Sequence, residues 1–96
     1  MSRYLYLLRH AESTERIPGE SDKERDLTPA GIRGALLVGN YLFKENTLFD
    51  QVICSTAQRA DATARLIADV MKFDPERISK QDALYEASTR TLFQFI

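Results

Sequence analysis

The sequence predicts an α/β protein, a parallel sheet between helices in a three-layer αβα sandwich, and three observations carry that prediction. Residues 4–8 are apolar or aromatic on both faces without alternation, as suits a central strand covered on both sides. Two later stretches place apolar residues at helical spacing: Ile32, Ala35, Leu36, Gly39, Leu42 and Phe43, then Ala60, Ala64, Ile67, Ala68 and Met71. Between them, residues 49–55 contain a second strand centred on Gln51 to Cys54. The order strand, helix, strand, helix, strand, helix favours parallel pairing through right-handed crossovers.

Each element has its own punctuation. After the first strand, residues 11–26 form a polar loop dense in both signs of charge and broken by Pro18-Gly19. That composition suits either a solvated connection or a segment lying over a binding site. Thr28 is placed to cap the first helix, and Pro29 fits its first position, where no N–H is needed. Asn46 marks its stop. Ser55-Thr56 can cap a second helix over 58–71, which Asp74-Pro75 ends. Ile78 opens a short strand-like stretch reaching Ala83-Leu84-Tyr85. Ser88 then caps a third helix through Leu92, Phe93 and Ile96, leaving a large apolar end at Phe95-Ile96.

With 96 residues, the chain forms one small domain, 1–96, with an underfilled core. Its formal net charge of −1 gives no electrostatic reason to expect nucleic acid or an anionic membrane as partner. No apolar run approaches the roughly 20 residues that span a bilayer, and no signal-peptide cleavage pattern is present. A cytoplasmic protein is the default expectation. Cys54, the single cysteine, reads as a small hydrophobe in a buried strand.

The chemistry gathers at two strand ends, where ligands bind in parallel α/β sheets. The first strand delivers Arg9 and His10, the only histidine; the second delivers Ser55, with Arg59 one turn into the following helix. An imidazole, two guanidinium groups and the N–H groups of a helix start make a phosphate pocket. The mechanism it permits is nucleophilic: a neutral imidazole nitrogen attacks phosphorus and forms a phosphohistidine that water hydrolyses. His10 would be the nucleophile, Arg9 and Arg59 would neutralise the equatorial oxygens, and Ser55 would add a phosphate contact. Such a scheme requires neither metal nor cofactor. A cysteine-dependent phosphate loop does not fit, because only four residues separate Cys54 from Arg59 and none is glycine.

Taken together, three segments resemble the histidine phosphatase superfamily, the phosphoglycerate-mutase-like proteins. They are Leu7-Leu8-Arg9-His10-Ala11-Glu12-Ser13, Asp26-Leu27-Thr28-Pro29-Ala30-Gly31, and the Ser55 to Ala64 stretch with its Arg59-Ala60-Asp61-Ala62-Thr63-Ala64 run. Alanine after the histidine, and Leu84-Tyr85-Glu86-Ala87-Ser88 downstream, resemble the small SixA-type phosphohistidine phosphatases. The resemblance implies a phosphoglycerate-mutase-like fold, His10 as phosphorylated nucleophile, and Arg9 and Arg59 as phosphate ligands. It also implies a phosphorylated substrate, of phosphohistidine-protein type in that branch, with Glu86 a weak candidate for the proton donor of larger relatives. The family's second histidine, in a Gly-His motif, has no counterpart here. The chain thus reads as the N-terminal portion of such a domain, truncated at its C-terminal side.

Two further readings stay open at this point. One keeps the family and changes the substrate to a small phosphomonoester. The other is a non-catalytic phosphate-binding or interaction module that self-associates through its uncovered C-terminal side at Phe93, Phe95 and Ile96.

Overall fold

The computed structural model describes residues 4–15, 17–85, 90, 92 and 94. Its framework is α1 (Pro29–Lys44), β1 (Ile53–Cys54), α2 (Gln58–Val70) and β2 (Ser79–Lys80), with single 3-10 turns at Asp22–Glu24, Pro75–Arg77 and Asp82–Leu84. The strands β1 and β2 pair in parallel, Ile53 opposite Ser79 and Cys54 opposite Lys80. Ser79 and Gln81 donate to the carbonyls of Val52 and Cys54, at 2.9 and 2.8 Å. A parallel ladder crossed over by a helix is the arrangement the element order predicts.

Helix α1 starts as its sequence dictates. Thr28 caps it, its hydroxyl accepting the Gly31 N–H at 3.0 Å, and Pro29 takes the first helical position. Both helices end in the same way. Asn46 (φ 58°) and Lys72 (φ 60°) adopt the left-handed conformation just past the caps. Thr47 and Phe73 then reach back to Leu42 and Ala68 at 3.1 and 2.8 Å, closing Schellman-type turns. Asparagine tolerates that conformation through its short polar side chain; lysine does so at a cost.

The helices bury their stripes against each other. Ala35, Leu42 and Ile67 form the core, with Ala11, Phe49, Leu66 and Met71 packed around it. Gly39 lets the helices approach closely, since a Cβ there would sit 3.1 Å from Val70 Cβ. The buried face of α2 is not the alanine stripe the spacing predicts. Arg59, Thr63, Ile67 and Ala68 are buried, whereas Ala60 and Ala64 are half-buried. Two polar residues occupy that face because of what they bind: Thr63 takes the Ala11 N–H beside His10, and Arg59 binds Asp22.

The first strand of the expected sheet does not form. Residues 4–10 join no ladder, and Tyr4, Leu5, Tyr6, Leu7 and Leu8 are 49–80% exposed. A run apolar on both faces is stable as a strand only where layers cover both sides. Here the two helices pack on each other, and the segment's described ring contact is the edge of Tyr6 against Phe49, with ring centres 5.3 Å apart. The third helix expected from Ser88, and the apolar end at Phe93, Phe95 and Ile96, fall outside the described residues apart from Arg90, Leu92 and Gln94. Cys54 is buried in β1, as its sequence setting implies, and burial pushes its thiol pKa up. No helix among the described residues is long and apolar enough to cross a membrane.

Candidate functional site

His10 is half-buried, and the four residues that follow it are pinned. Ala11 N–H donates to the Thr63 hydroxyl at 3.0 Å, and that hydroxyl donates to the carbonyl of Arg59 at 2.7 Å. Glu12 O accepts Thr28 N–H at 3.0 Å, Thr14 N–H donates to Asp26 O at 2.8 Å, and Ser13 bridges antiparallel to Leu27. The turn after His10 is thereby fastened to the starts of both helices. Thr63, four residues after Arg59 on the same face, couples the histidine's segment to the turn bearing that arginine.

His10 itself makes one described hydrogen bond, from Nδ1 to the Ala11 carbonyl at 2.7 Å. A carbonyl oxygen only accepts, so Nδ1 carries the proton in this contact and Nε2 keeps its lone pair in the neutral ring. Arg9 is exposed and pairs with no carboxylate among the described residues.

Arg59 is buried, with 9% of its surface exposed. Its Nη1 donates to the main-chain carbonyl of Asp22 at 2.8 Å and its Nη2 to Asp22 Oδ2 at 3.0 Å. Tyr85 donates its hydroxyl to the same carboxylate oxygen, and the guanidinium lies 5.9 Å from the Tyr85 ring centre. Arg25 Nε stands 3.2 Å from Asp22 Oδ1. Beside this cluster, Asp82 receives Lys23 Nζ and, at 2.7 Å, the Thr56 hydroxyl. The loop of mixed charge is therefore docked against the start of α2.

Ser55 and Thr56 do not cap α2. The cap position is Ala57, without a side-chain hydrogen bond, and Ser55 Oγ instead accepts the Ala57 N–H at 3.3 Å. Thr56 is turned to Asp82, which explains why it cannot serve the helix. The first N–H groups of α2 are left without a side-chain cap, which suits an anion. Glu86 lies outside the described residues.

The structure thus joins His10 to Arg59 through the Thr63 hydroxyl and the backbone rather than by a described side-chain contact. Sequence reasoning missed Asp22, Thr63 and Tyr85 as parts of this assembly. Thr63 had a readable signal, its spacing of four from Arg59. Asp22 had none beyond the loop's charge density. A depression of about 320 Å³ lies elsewhere, lined by Asp26, Leu27, Ile32, Ala62, Arg65 and Leu66, and includes none of the predicted site residues. Among the described residues, no three His, Cys, Asp or Glu side chains converge as a metal site.

Two results follow from this geometry. Thr63 is 6% exposed, and Thr63→Val keeps its shape while stranding the Ala11 N–H. A loss of about 1–3 kcal/mol in chemical denaturation is expected, with a displaced His10 ring signal in NMR. The second concerns acid. The Tyr85 hydroxyl above all holds Asp22 below the ordinary carboxylate range; burial opposes it, and the Arg59 and Arg25 guanidinium groups add to the lowering. Lys23, then Thr56, do the same for Asp82. Both groups therefore add stability that is complete above their unfolded value and lost as pH falls through their lower folded values. Melting temperature measured from about pH 5 to about pH 2 should fall less steeply in Asp22→Asn/Asp82→Asn than in the parent chain.

Comparison with known proteins places the chain in a family. The model of the histidine phosphatase superfamily (branch 1) matches residues 5–91. Among curated proteins, the chain is 36% identical over 77 residues to the mitochondrial serine/threonine-protein phosphatase Pgam5 of Drosophila ananassae, covering 80% of this chain and 26% of that protein. It is 36% identical over 92 residues to the 2,3-bisphosphoglycerate-dependent phosphoglycerate mutase of Elusimicrobium minutum, covering 92% of this chain and 36% of the mutase. Among solved structures, one described as the phosphohistidine phosphatase SixA of Agrobacterium tumefaciens superposes with a TM-score of 0.85 at 29% identity. That match covers 93% of this chain and 56% of the SixA chain. The chain spans about a quarter to a third of the two curated relatives. By its motifs, its fold and the extent of the family match, the chain belongs to the histidine phosphatase superfamily.

Proposed function

We propose that this chain carries the nucleophile half of a SixA-type phosphohistidine phosphatase, His10 accepting the phosphoryl group. The observation that carries this reading is the Nδ1–H contact to Ala11 O, which leaves Nε2 as the attacking nitrogen. In the first step the Nε2 lone pair forms a bond to phosphorus while the bond to the leaving group breaks, and the leaving group takes a proton from solvent. Water then attacks phosphorus in the second step and releases inorganic phosphate, returning His10 to neutrality. An imidazole leaving group needs less protonation than an alkoxide, which favours a phosphohistidine substrate for a site where the described hydrogen bond of His10 goes to a main-chain carbonyl and not to an acid. Arg9 and Arg59 serve the phosphoryl oxygens, and the uncapped start of α2 adds N–H donors. Ser55 contributes at most through its hydroxyl beside that helix start.

Similarity to SixA supports phosphohistidine as the substrate class, and similarity to Pgam5 and the mutase supports the wider phosphoryl-transfer chemistry. The test is to incubate the chain with phosphoramidate and with a phosphohistidine peptide, and to follow phosphohistidine at residue 10 by mass spectrometry and ³¹P NMR. Uptake and release of phosphate are expected. Preferential turnover of small phosphate esters would replace the SixA-type substrate by a phosphomonoester. Phosphate binding without any phosphohistidine would favour the non-catalytic module.

A further inference from the structure

We infer that Asp22 is a positioning residue for Arg59: it grips the guanidinium at its two terminal nitrogens and so presents the Nε–H edge, fixed and unspent, to a phosphoryl oxygen. This rests on the phosphate-handling reading above. An arginine has five N–H donors in a rigid plane. Asp22 takes one from Nη1 with its main-chain carbonyl and one from Nη2 with Oδ2. The Nε of Arg59 is buried and has no hydrogen-bond partner among the described residues. A buried charged donor left unpaired costs stability, so its persistence calls for an acceptor that the described residues do not supply. The edge formed by Nε and one terminal nitrogen is the one that matches two oxygens of a phosphoryl group.

Two features argue that Asp22 holds the arginine rather than competing for its anion site. The grip is anchored from behind, because the Tyr85 hydroxyl donates to the same carboxylate and one of the two bonds is to a main-chain oxygen. The charge balance also remains favourable. Arg25 Nε lies 3.2 Å from Asp22 Oδ1, so the group of Arg25, Arg59 and Asp22 keeps a net positive charge for an incoming phosphate. Tyr85 thereby acts at one remove, by fixing the carboxylate that fixes the guanidinium.

The test titrates inorganic phosphate into the parent chain and into Asp22→Ala, Asp22→Asn and Tyr85→Phe, reading the ring signals of the sole histidine and the Arg59 Nε–H resonance. Asp22→Ala should weaken phosphate binding about tenfold, the worth of a hydrogen bond to a charged group. It should also broaden the Nε–H resonance through loss of a fixed geometry. Asp22→Asn, which keeps one side-chain acceptor oxygen beside the main-chain carbonyl, should recover part of the affinity and guards against a fold defect in the alanine variant. Tyr85→Phe should fall between them. Tighter phosphate binding by Asp22→Ala would overturn the inference by making the carboxylate a rival occupant, and unchanged binding would overturn it equally. A parent chain that binds no phosphate would overturn the phosphatase reading itself along with its positioning residue.

Discussion

The chain with His10→Ala is expected to take up no phosphoryl group from phosphoramidate under conditions where the parent is stoichiometrically labelled. The loss should be complete rather than partial, because no other histidine exists to accept the group. It should also be clean. His10 is only half-buried and its single described bond is to its own neighbour's carbonyl, so melting should shift little. Arg59→Ala provides the contrast. In the role proposed for Arg59 this removes transition-state charge stabilisation, for which a loss of about 10²–10³-fold in labelling rate is expected. It also strips Asp22 of its main partner, so the loop should loosen and stability should fall as well. Labelling of the His10→Ala chain at any other residue would refute the nucleophile assignment, whereas equal melting curves for the parent and Arg59→Ala would refute the docking of the loop through Asp22.

The second large effect turns on a helical glycine. Alanine exceeds glycine in a helix interior by about 1 kcal/mol, so Gly→Ala in α1 should stabilise unless space forbids it. At Gly31 it does: a Cβ would stand 2.1 Å from the carbonyl oxygen of Glu12, a main-chain atom that also accepts Thr28 N–H at 3.0 Å. The collision cannot be relieved by a rotamer change, and it pushes on the turn that follows His10. Gly31→Ala is expected to lose about 1–3 kcal/mol by overpacking, outweighing the propensity gain, and to slow His10 labelling. Gly34 supplies the control in the same helix. Nothing lies within 4 Å of its Cβ position, so Gly34→Ala should gain up to about 1 kcal/mol. Denaturation midpoints that move in the same direction for the two variants would show that the Glu12 contact is not what fixes Gly31.

These two glycines show how far the sequence could be read. The span 26–31 announces a helix start, and Thr28, Pro29 and Gly31 each do what their chemistry suggests. The helical periods and the strand at Ile53–Cys54 were equally legible, because period and punctuation are local properties. Legibility failed where the outcome depends on partners distant in sequence. Residues 4–8 have the composition of a buried strand, yet burial requires layers on both sides and composition cannot say whether they are present. Ser55-Thr56 reads as a helix cap until Asp82, 26 residues on, claims the threonine hydroxyl. Of the proposed site, His10 and Arg59 could be put forward from their types and spacing. What holds Arg59 could not, since Asp22 is 37 residues away in a loop whose charges look alike. The face of α2 was misread for the same reason. Arginine and threonine count as polar in any periodicity, but here they are buried by what they bind.

Cys54 adds a consequence of another kind. The residue is 8% exposed, directly before Ser55 and the start of α2, and its carbonyl closes the parallel ladder to Gln81. Burial keeps the thiol protonated and out of reach of a disulfide reagent in the closed protein. Its labelling rate is therefore a clock for local opening: each modification records one excursion in which β1 parts from β2 and α2 lifts. An oxyanion seated at the start of α2 should slow that clock, so that one cysteine reports by kinetics on a ligand it never touches.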